Sequence, residues 1–185
     1  MTVFLARHGN ELGGFRGGWS SHGLDGVGEE QAAALAEYLL ENQSKYDIQR
    51  IYSSDLPRAM QTAQAVADKL GLPIIEKSGF REVNNGALAG MANEEADRLY
   101  PELYWKRLGW EEKYPGGESP KDFYNRIYSA WKSFSEKLKS ENENVLLITH
   151  GGVIQVILSI LKGERYSNRK SFGSVSCCDL IRIEM

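Results

Sequence analysis

Short apolar runs and longer amphipathic stretches alternate along this chain. Apolar runs typical of buried strands lie at 2–6, within 48–54, at 72–76 and within 143–149. Between them, residues 26–43, 55–71 and 116–140 carry apolar positions at helical spacing, and another such stretch follows the last run, up to 161. The alternation predicts an α/β fold whose central sheet is mostly parallel.

The boundary residues refine these elements. Asp55 is the expected N-cap of the second helix and Gly71 its end, and Ser119 is the expected cap of the third. Glycines and paired asparagines in 79–92 predict a loop, with a helix from about Asn93. The final stretch, VSCCDLIRIEM, predicts an edge strand that includes both cysteines and that could pair between subunits of a homodimer.

Composition limits the class of protein. The 185 residues are 42% hydrophobic, enough for one sizeable core, so we expect a single domain over 1–185. The net charge of -3 gives no basic footprint, and neither nucleic acid nor membrane is expected as a partner. No long apolar segment or leader pattern is visible, and the adjacent Cys177 and Cys178 suit neither a disulfide framework nor a zinc site, so a cytoplasmic location is expected.

Polar residues that can act in chemistry stand at three strand–turn–helix junctions. Arg7 and His8 precede a glycine, a pair of serines leads to Arg58, and His150 precedes Gly151. The carboxyl ends of parallel strands lie together, so two histidines and two arginines are predicted to meet in one pocket.

This set of residues suits a phosphoryl group. Arginines supply fixed cationic donors for its oxygens, and they also lower the pKa of a nearby imidazole, which then stays neutral and nucleophilic. We expect His8, at the end of a rigid strand, to be the nucleophile. His150 and the amides that follow it, beginning at Gly151, would donate to phosphoryl oxygens.

Five segments also carry a family resemblance: LARHGN, SSDLPRAMQTA, REVNNGALAG, PGGES and LLITHGG. In order and approximate spacing the chain resembles the histidine phosphatase superfamily, phosphoglycerate mutase-like branch, over nearly its whole length. The resemblance implies a three-layer α/β/α sandwich, and we expect a cap-like insertion at about 79–118 within the single domain. It also implies a phosphohistidine on His8, a phosphate pocket of Arg7, Arg58 and His150, Glu82 as proton donor, and neither metal nor other cofactor.

The chain departs from the family pattern at three places. Asn10 and Glu11 follow the Arg-His-Gly triplet where the family has Glu or Gln and then Thr or Ser. Gly14 stands where the family has an asparagine that contacts phosphate, so Asn10 is predicted to make that contact. Leu88–Ala89 replace a frequent Trp-Glu pair in the acid loop, which predicts a different pocket rim.

Several alternatives stay open from the sequence. Glu11, Glu76 and Glu118 compete with Glu82 by residue type, and Glu118 fits a loop residue as well as a substrate contact. Trp105 and Trp110 fit core packing or a lid. We expect a phosphatase of a small phosphorylated metabolite, since family members that act on protein phosphohistidine generally lack the acid loop. A phosphoglycerate mutase and a non-catalytic phosphate-binding module are the alternatives.

Overall fold

A computed structural model describes residues 1–185. The strands are β1 (Thr2–Arg7), β2 (Arg50–Ser53), β3 (Ile74–Glu76), β4 (Val145–Thr149) and β5 (Leu180–Glu184). The helices are α1 (Gly26–Glu41), α2 (Gln43–Tyr46), α3 (Pro57–Leu70), α4 (Asn93–Leu99), α5 (Pro120–Glu141) and α6 (Gly151–Leu161), with 3-10 turns at Ser78–Phe80 and Gly86–Leu88. No helix is both long enough and apolar enough to cross a membrane.

The five strands form one sheet in the order β3-β2-β4-β1-β5. The first four strands are parallel, and β5 runs antiparallel to β1 at the edge. The predicted α/β class with a mostly parallel sheet is therefore confirmed. The parallel register pairs Arg7 with Thr149 and Ser53 with Ile148, so the carboxyl ends of β1, β2 and β4 lie side by side.

Helices cover both faces of the sheet and make the predicted three layers. Alternate residues of β1 enter two separate cores: Val3 and Leu5 pack with α5 and α6, and Phe4 and Ala6 pack with α1 and α3. All four side chains are at most 3% exposed. Burying one leucine or phenylalanine side chain contributes about 1.5–3 kcal/mol, so the position of β1 is strongly determined.

Helix ends follow the expected caps with one exception. Ser119 forms a capping box with Asp122 at the start of α5, and Gly71 ends α3 in the left-handed region. The assignment of Asp55 as an N-cap is wrong. Helix α3 begins with Pro57 at its first position, and the Asp55 carboxylate instead accepts hydrogen bonds from Arg81 at 2.5 and 2.6 Å.

The prediction that both cysteines lie within the last strand is also wrong. Strand β5 begins at Leu180, and Cys178 has a φ of 61°, which ends any extended run there. The Cys178 amide donates to the carbonyl of Arg7 at 2.8 Å, so the turn is anchored to the end of β1. The predicted edge strand is therefore limited to residues 180–184.

The segment between β3 and α5 has its own small core. Leu88, Leu108 and Tyr114 are buried together there, and Trp105 packs edge-on against Phe123 of α5. The exposed fraction of Trp110 is 38%. Trp105 therefore packs in a core, which was one of the two alternatives for it. The role of 79–118 as a cap stays a prediction.

Candidate active site

The ends of β1, β2 and β4 bring the predicted site residues together. His8 and His150 have ring centroids 5.1 Å apart, and Arg58 from the first turn of α3 reaches His8. His8, Arg58 and His150 are at most 2% exposed. Buried polar groups of this kind are normally hydrogen-bonded or paired, so their partners define the chemistry of the pocket.

The hydrogen bonds of His8 determine which of its nitrogens carries the proton. Its Nδ1 lies 2.6 Å from the carbonyl oxygen of Gly9, which can only accept, so Nδ1 carries the proton and Nε2 the lone pair. Arg58 Nε donates to that lone pair at 3.2 Å. Burial, with Arg58 as the next cause, lowers the pKa of His8 from 6.5 to about 3, and the imidazole is neutral at physiological pH.

His150 is also neutral, and it has a different hydrogen-bond partner. Its Nε2 lies 2.7 Å from the hydroxyl oxygen of Ser54, and its Nδ1 is buried without a partner. Burial, followed by the charge of Arg58, puts the pKa of His150 well below its usual value. Two neutral imidazoles therefore face each other across the pocket.

The two arginines present unused donors to this pocket. Arg58 donates from Nη2 to the Gly18 carbonyl at 2.8 Å, but its Nη1 is buried without a partner. Arg7 Nε is also buried without a partner, and Gly151 lies beside that guanidinium at the start of α6. A buried donor without a partner costs about 1–3 kcal/mol, and an oxygen acceptor in the pocket would offset that cost.

Glu82 reaches the same pocket from the loop after the Ser78–Phe80 turn. Its Oε2 accepts from the Gly152 amide at 3.0 Å and its Oε1 from the Val83 amide at 3.1 Å. A Cβ at position 152 would lie 2.3 Å from Oε1, so only glycine allows this carboxylate to sit against α6. The second glycine of the THGG segment is thereby explained.

Arg126 of α5 holds the loop that carries Glu82. Its guanidinium makes a bidentate pair with Glu118 at 2.7 and 2.8 Å, and it donates to the carbonyls of Gly79, Arg81 and Glu82 at 2.9–3.0 Å. Glu118, which the sequence left between a loop residue and a substrate contact, therefore serves this ion pair. Arginine suits the position because its planar fork can satisfy several acceptors at once.

Trp19 supports the same loop from the other side. Its Nε1 donates to the Glu82 carbonyl at 2.7 Å, and the guanidinium of Arg81 lies 4.8 Å from its ring centroid. The residues around Glu82 thus have fixed partners on both sides.

Asn10 is the predicted site residue that the structure does not join to the cluster. Its side-chain amide donates to Asp25 Oδ2 at 2.6 Å, and its backbone amide donates to Gln31. Glu11 is found in the pocket instead, with Oε2 3.2 Å from Arg58 Nε.

The sequence interpretation did not identify the roles of Glu11, Trp19, Ser54 and Arg126. For Ser54 a signal existed, because it follows a strand directly. The unexpected acidic residue after Asn10 was a signal for Glu11. Nothing in the local pattern of α5 distinguishes Arg126 from a solvated helix residue.

A cavity of about 360 Å³ lies next to the Glu82 loop. Its lining includes Gly18, whose carbonyl holds Arg58, and Val83, which follows Glu82 in the chain. Arg16, Lys106 and Tyr114 also line it. The cavity is large enough for the alcohol portion of a small ester.

Residues 3–185 match the family model of the histidine phosphatase superfamily (branch 1). Phosphoserine phosphatase 1 of Hydrogenobacter thermophilus is 30% identical over 94% of this chain and 82% of its own length. Phosphoglycerate mutase-like protein 4 of Arabidopsis thaliana is 36% identical over 80% of this chain, and the match spans only 62% of that protein. Several relatives from Brucella and Bartonella are named 2,3-bisphosphoglycerate-dependent phosphoglycerate mutase. The one from Bartonella tribocorum is 29% identical over 88% of this chain and 82% of its own length.

Solved structures share the fold over the whole chain. The mycobacterial glucosyl-3-phosphoglycerate phosphatase in complex with VO3 has a TM-score of 0.77, 25% identity, and coverage of 99% of this chain and 90% of its own. The fold, the strand-end histidines and arginines, and the family match agree. The chain belongs to the histidine phosphatase superfamily, branch 1.

Proposed function

We propose that the protein is a metal-independent phosphatase that hydrolyses a small-molecule phosphomonoester through a phosphohistidine on His8. The observation that carries the proposal is a neutral imidazole whose Nε2 lone pair accepts from Arg58 Nε, on a buried guanidinium whose Nη1 has no partner. The phosphatase relatives support the same reaction class.

In the first step, His8 Nε2 attacks phosphorus and the ester P–O bond breaks. Arg7, Arg58 and His150 hold the phosphoryl oxygens and offset their developing charge. Glu82, in its protonated form, gives its proton to the leaving alkoxide, which departs as the alcohol. These side chains supply the charge that a metal ion would otherwise provide.

In the second step, a water molecule attacks the phosphohistidine. Glu82, now a carboxylate, takes a proton from this water, and the P–N bond breaks to release inorganic phosphate. His8 returns to the neutral tautomer that its Gly9 contact favours. The 360 Å³ cavity beside Val83 would receive the alcohol portion of the substrate.

Trapping of the intermediate tests the proposal. The protein is mixed with p-nitrophenyl phosphate labelled at phosphorus and quenched within milliseconds under alkaline conditions. It should then carry an acid-labile, base-stable adduct. The adduct should be absent from the His8→Ala variant. An adduct that persists in His8→Ala would show that another residue is the nucleophile.

The mutase stays the second candidate because relatives carry that name. It uses the same nucleophile and differs only in the fate of the phosphohistidine. A small phosphorylated metabolite is the proposed substrate class in either case, and a homodimer through the edge strand β5 remains a proposal.

A further inference from the structure

Glu11 places a second carboxylate beside the proposed nucleophile. Its Oε2 is 3.2 Å from Arg58 Nε, and the same Nε donates to His8 Nε2 at 3.2 Å. Because both contacts share Arg58 Nε, Glu11 Oε2 lies at most about two hydrogen-bond lengths from His8 Nε2. The exposed fraction of the Glu11 side chain is 29%, against 1% for Arg58, so its carboxylate is on the open side of the pair.

Arg58 is the only ion-pair partner of Glu11. A Cβ at position 17 would lie 3.1 Å from Glu11 Oε1, so glycine at this position leaves room for the carboxylate.

Binding of a phosphoryl group changes the surroundings of Glu11. The phosphoryl oxygens take up the donors of Arg58, whose Nη1 has no partner beforehand. Glu11 then shares its one cation with a dianion and stands close to that like charge, which is unfavourable in a partly buried site. A cation brought by the substrate would restore the balance.

We propose that Glu11 is a specificity-determining residue that recognises an ammonium group on the alcohol portion of the substrate. The substrate class is a phosphomonoester with an amino group a few bonds from the ester oxygen. The short separation between Glu11 and His8 requires that spacing. This inference rests on the proposed phosphatase function and assigns its substrate class.

A pair of matched esters tests the assignment. The kcat/KM values for 2-aminoethyl phosphate and 2-hydroxyethyl phosphate are measured for the wild type and for Glu11→Gln. Comparing the ratio of the two values between the proteins cancels the different acidities of the two alcohols. The ratio should be about two- to fivefold larger in the wild type, as expected for one ion pair that is partly exposed to solvent.

Two controls accompany these measurements. Glu136→Gln, at an exposed position of α5, removes the same charge far from the pocket and should keep the wild-type ratio. Inorganic phosphate should inhibit Glu11→Gln with an inhibition constant no higher than that of the wild type, because a negative charge next to the anion is gone. Retained inhibition shows that the variant is folded and its phosphate pocket intact.

The outcomes separate the two proposals. Equal ratios in the wild type and Glu11→Gln overturn the role of Glu11, whether or not the amino ester is preferred. A higher kcat/KM of the variant for both esters by the same factor also overturns it and makes Glu11 a simple competitor of phosphate. Absence of hydrolysis of both esters and of p-nitrophenyl phosphate by the wild type would instead contradict the proposed phosphatase function.

Discussion

At the residue scale, burial and neighbouring arginines determine the protonation of both pocket histidines. His8 gains one backbone contact, to Gly9, but this does not compensate for the loss of water around a charged ring. The neutral form is the one required for attack on phosphorus. Keeping His8 neutral in the fold should therefore make the folding free energy depend on pH.

The folding free energy should fall on acidification because of His8. Its pKa is 6.5 without burial and about 3 in the fold, so below pH 6.5 the unfolded chain binds a proton that the folded protein does not. The loss grows as the pH falls towards 3 and amounts to about 2 kcal/mol at pH 5.

Denaturant unfolding at pH 7 and pH 5 measures this loss. The decrease in unfolding free energy between the two pH values should be about 2 kcal/mol smaller for His8→Asn than for the wild type. An identical decrease in both proteins would contradict the lowered pKa of His8.

Glu82→Gln should affect substrates according to their leaving groups. The amide keeps the shape of the side chain but has no proton to transfer, so turnover of an alkyl phosphate should fall roughly 10²- to 10⁴-fold. p-Nitrophenyl phosphate, whose phenolate departs with little protonation, should lose less in single-turnover phosphorylation. Glu76→Gln, exposed on β3, serves as the control. Equal losses for both esters would point to a different proton donor.

At the element scale, α5 does more than cover the sheet. Its Phe123 and Ile127 are fully buried in the core, while Arg126 between them in sequence points to the Glu82 loop. The same helix thus links the packing of the core to the placement of Glu82, the proposed proton donor. This arrangement predicts that a conservative change at 126 alters proton transfer.

Arg126→Lys should lower the phosphorylation rate for an alkyl phosphate about ten- to a hundredfold, because one ammonium cannot replace a bidentate pair and three carbonyl contacts. The loss for p-nitrophenyl phosphate should be clearly smaller, since that ester needs the Glu82 proton less. Arg98→Lys, on the exposed side of α4, is the matched control. The same loss for both esters would show that Arg126 does not act through Glu82.

At the scale of the whole molecule, the fate of the phosphohistidine separates a phosphatase from a mutase. A mutase must retain the alcohol and exclude water until a second hydroxyl is phosphorylated. Gly14 in place of the family's asparagine, and Leu88–Ala89 in place of its frequent Trp-Glu pair, provide smaller side chains to close this pocket. Water is therefore expected to reach the intermediate first.

Incubation with 3-phosphoglycerate and a catalytic amount of 2,3-bisphosphoglycerate measures this competition. The rate of release of inorganic phosphate should greatly exceed the rate of formation of 2-phosphoglycerate, even where both rates are small. Fast isomerisation with negligible release of phosphate would replace the phosphatase by the mutase.

The sequence by itself determined the elements and the residues at the strand ends. Strand runs such as 145–149 and caps such as Ser119 depend on neighbours only a few residues away, so local pattern reveals them. The parallel order of β1, β2 and β4 then brings His8, Arg58 and His150 together with few alternatives. Asp55 shows the limit of this reasoning, since its capping role was displaced by Arg81, 26 residues further along.

Only the tertiary structure decided how the rest of the pocket is arranged. Arg126 reaches the carbonyl of Glu82 across 44 residues, and the Cys178 amide lies against Arg7 from the other end of the chain. Asn10 turns to Asp25 while Glu11 takes the place beside Arg58. Each of these contacts joins polar groups that have several possible partners of equal chemistry, and the packing of the layers selects one of them.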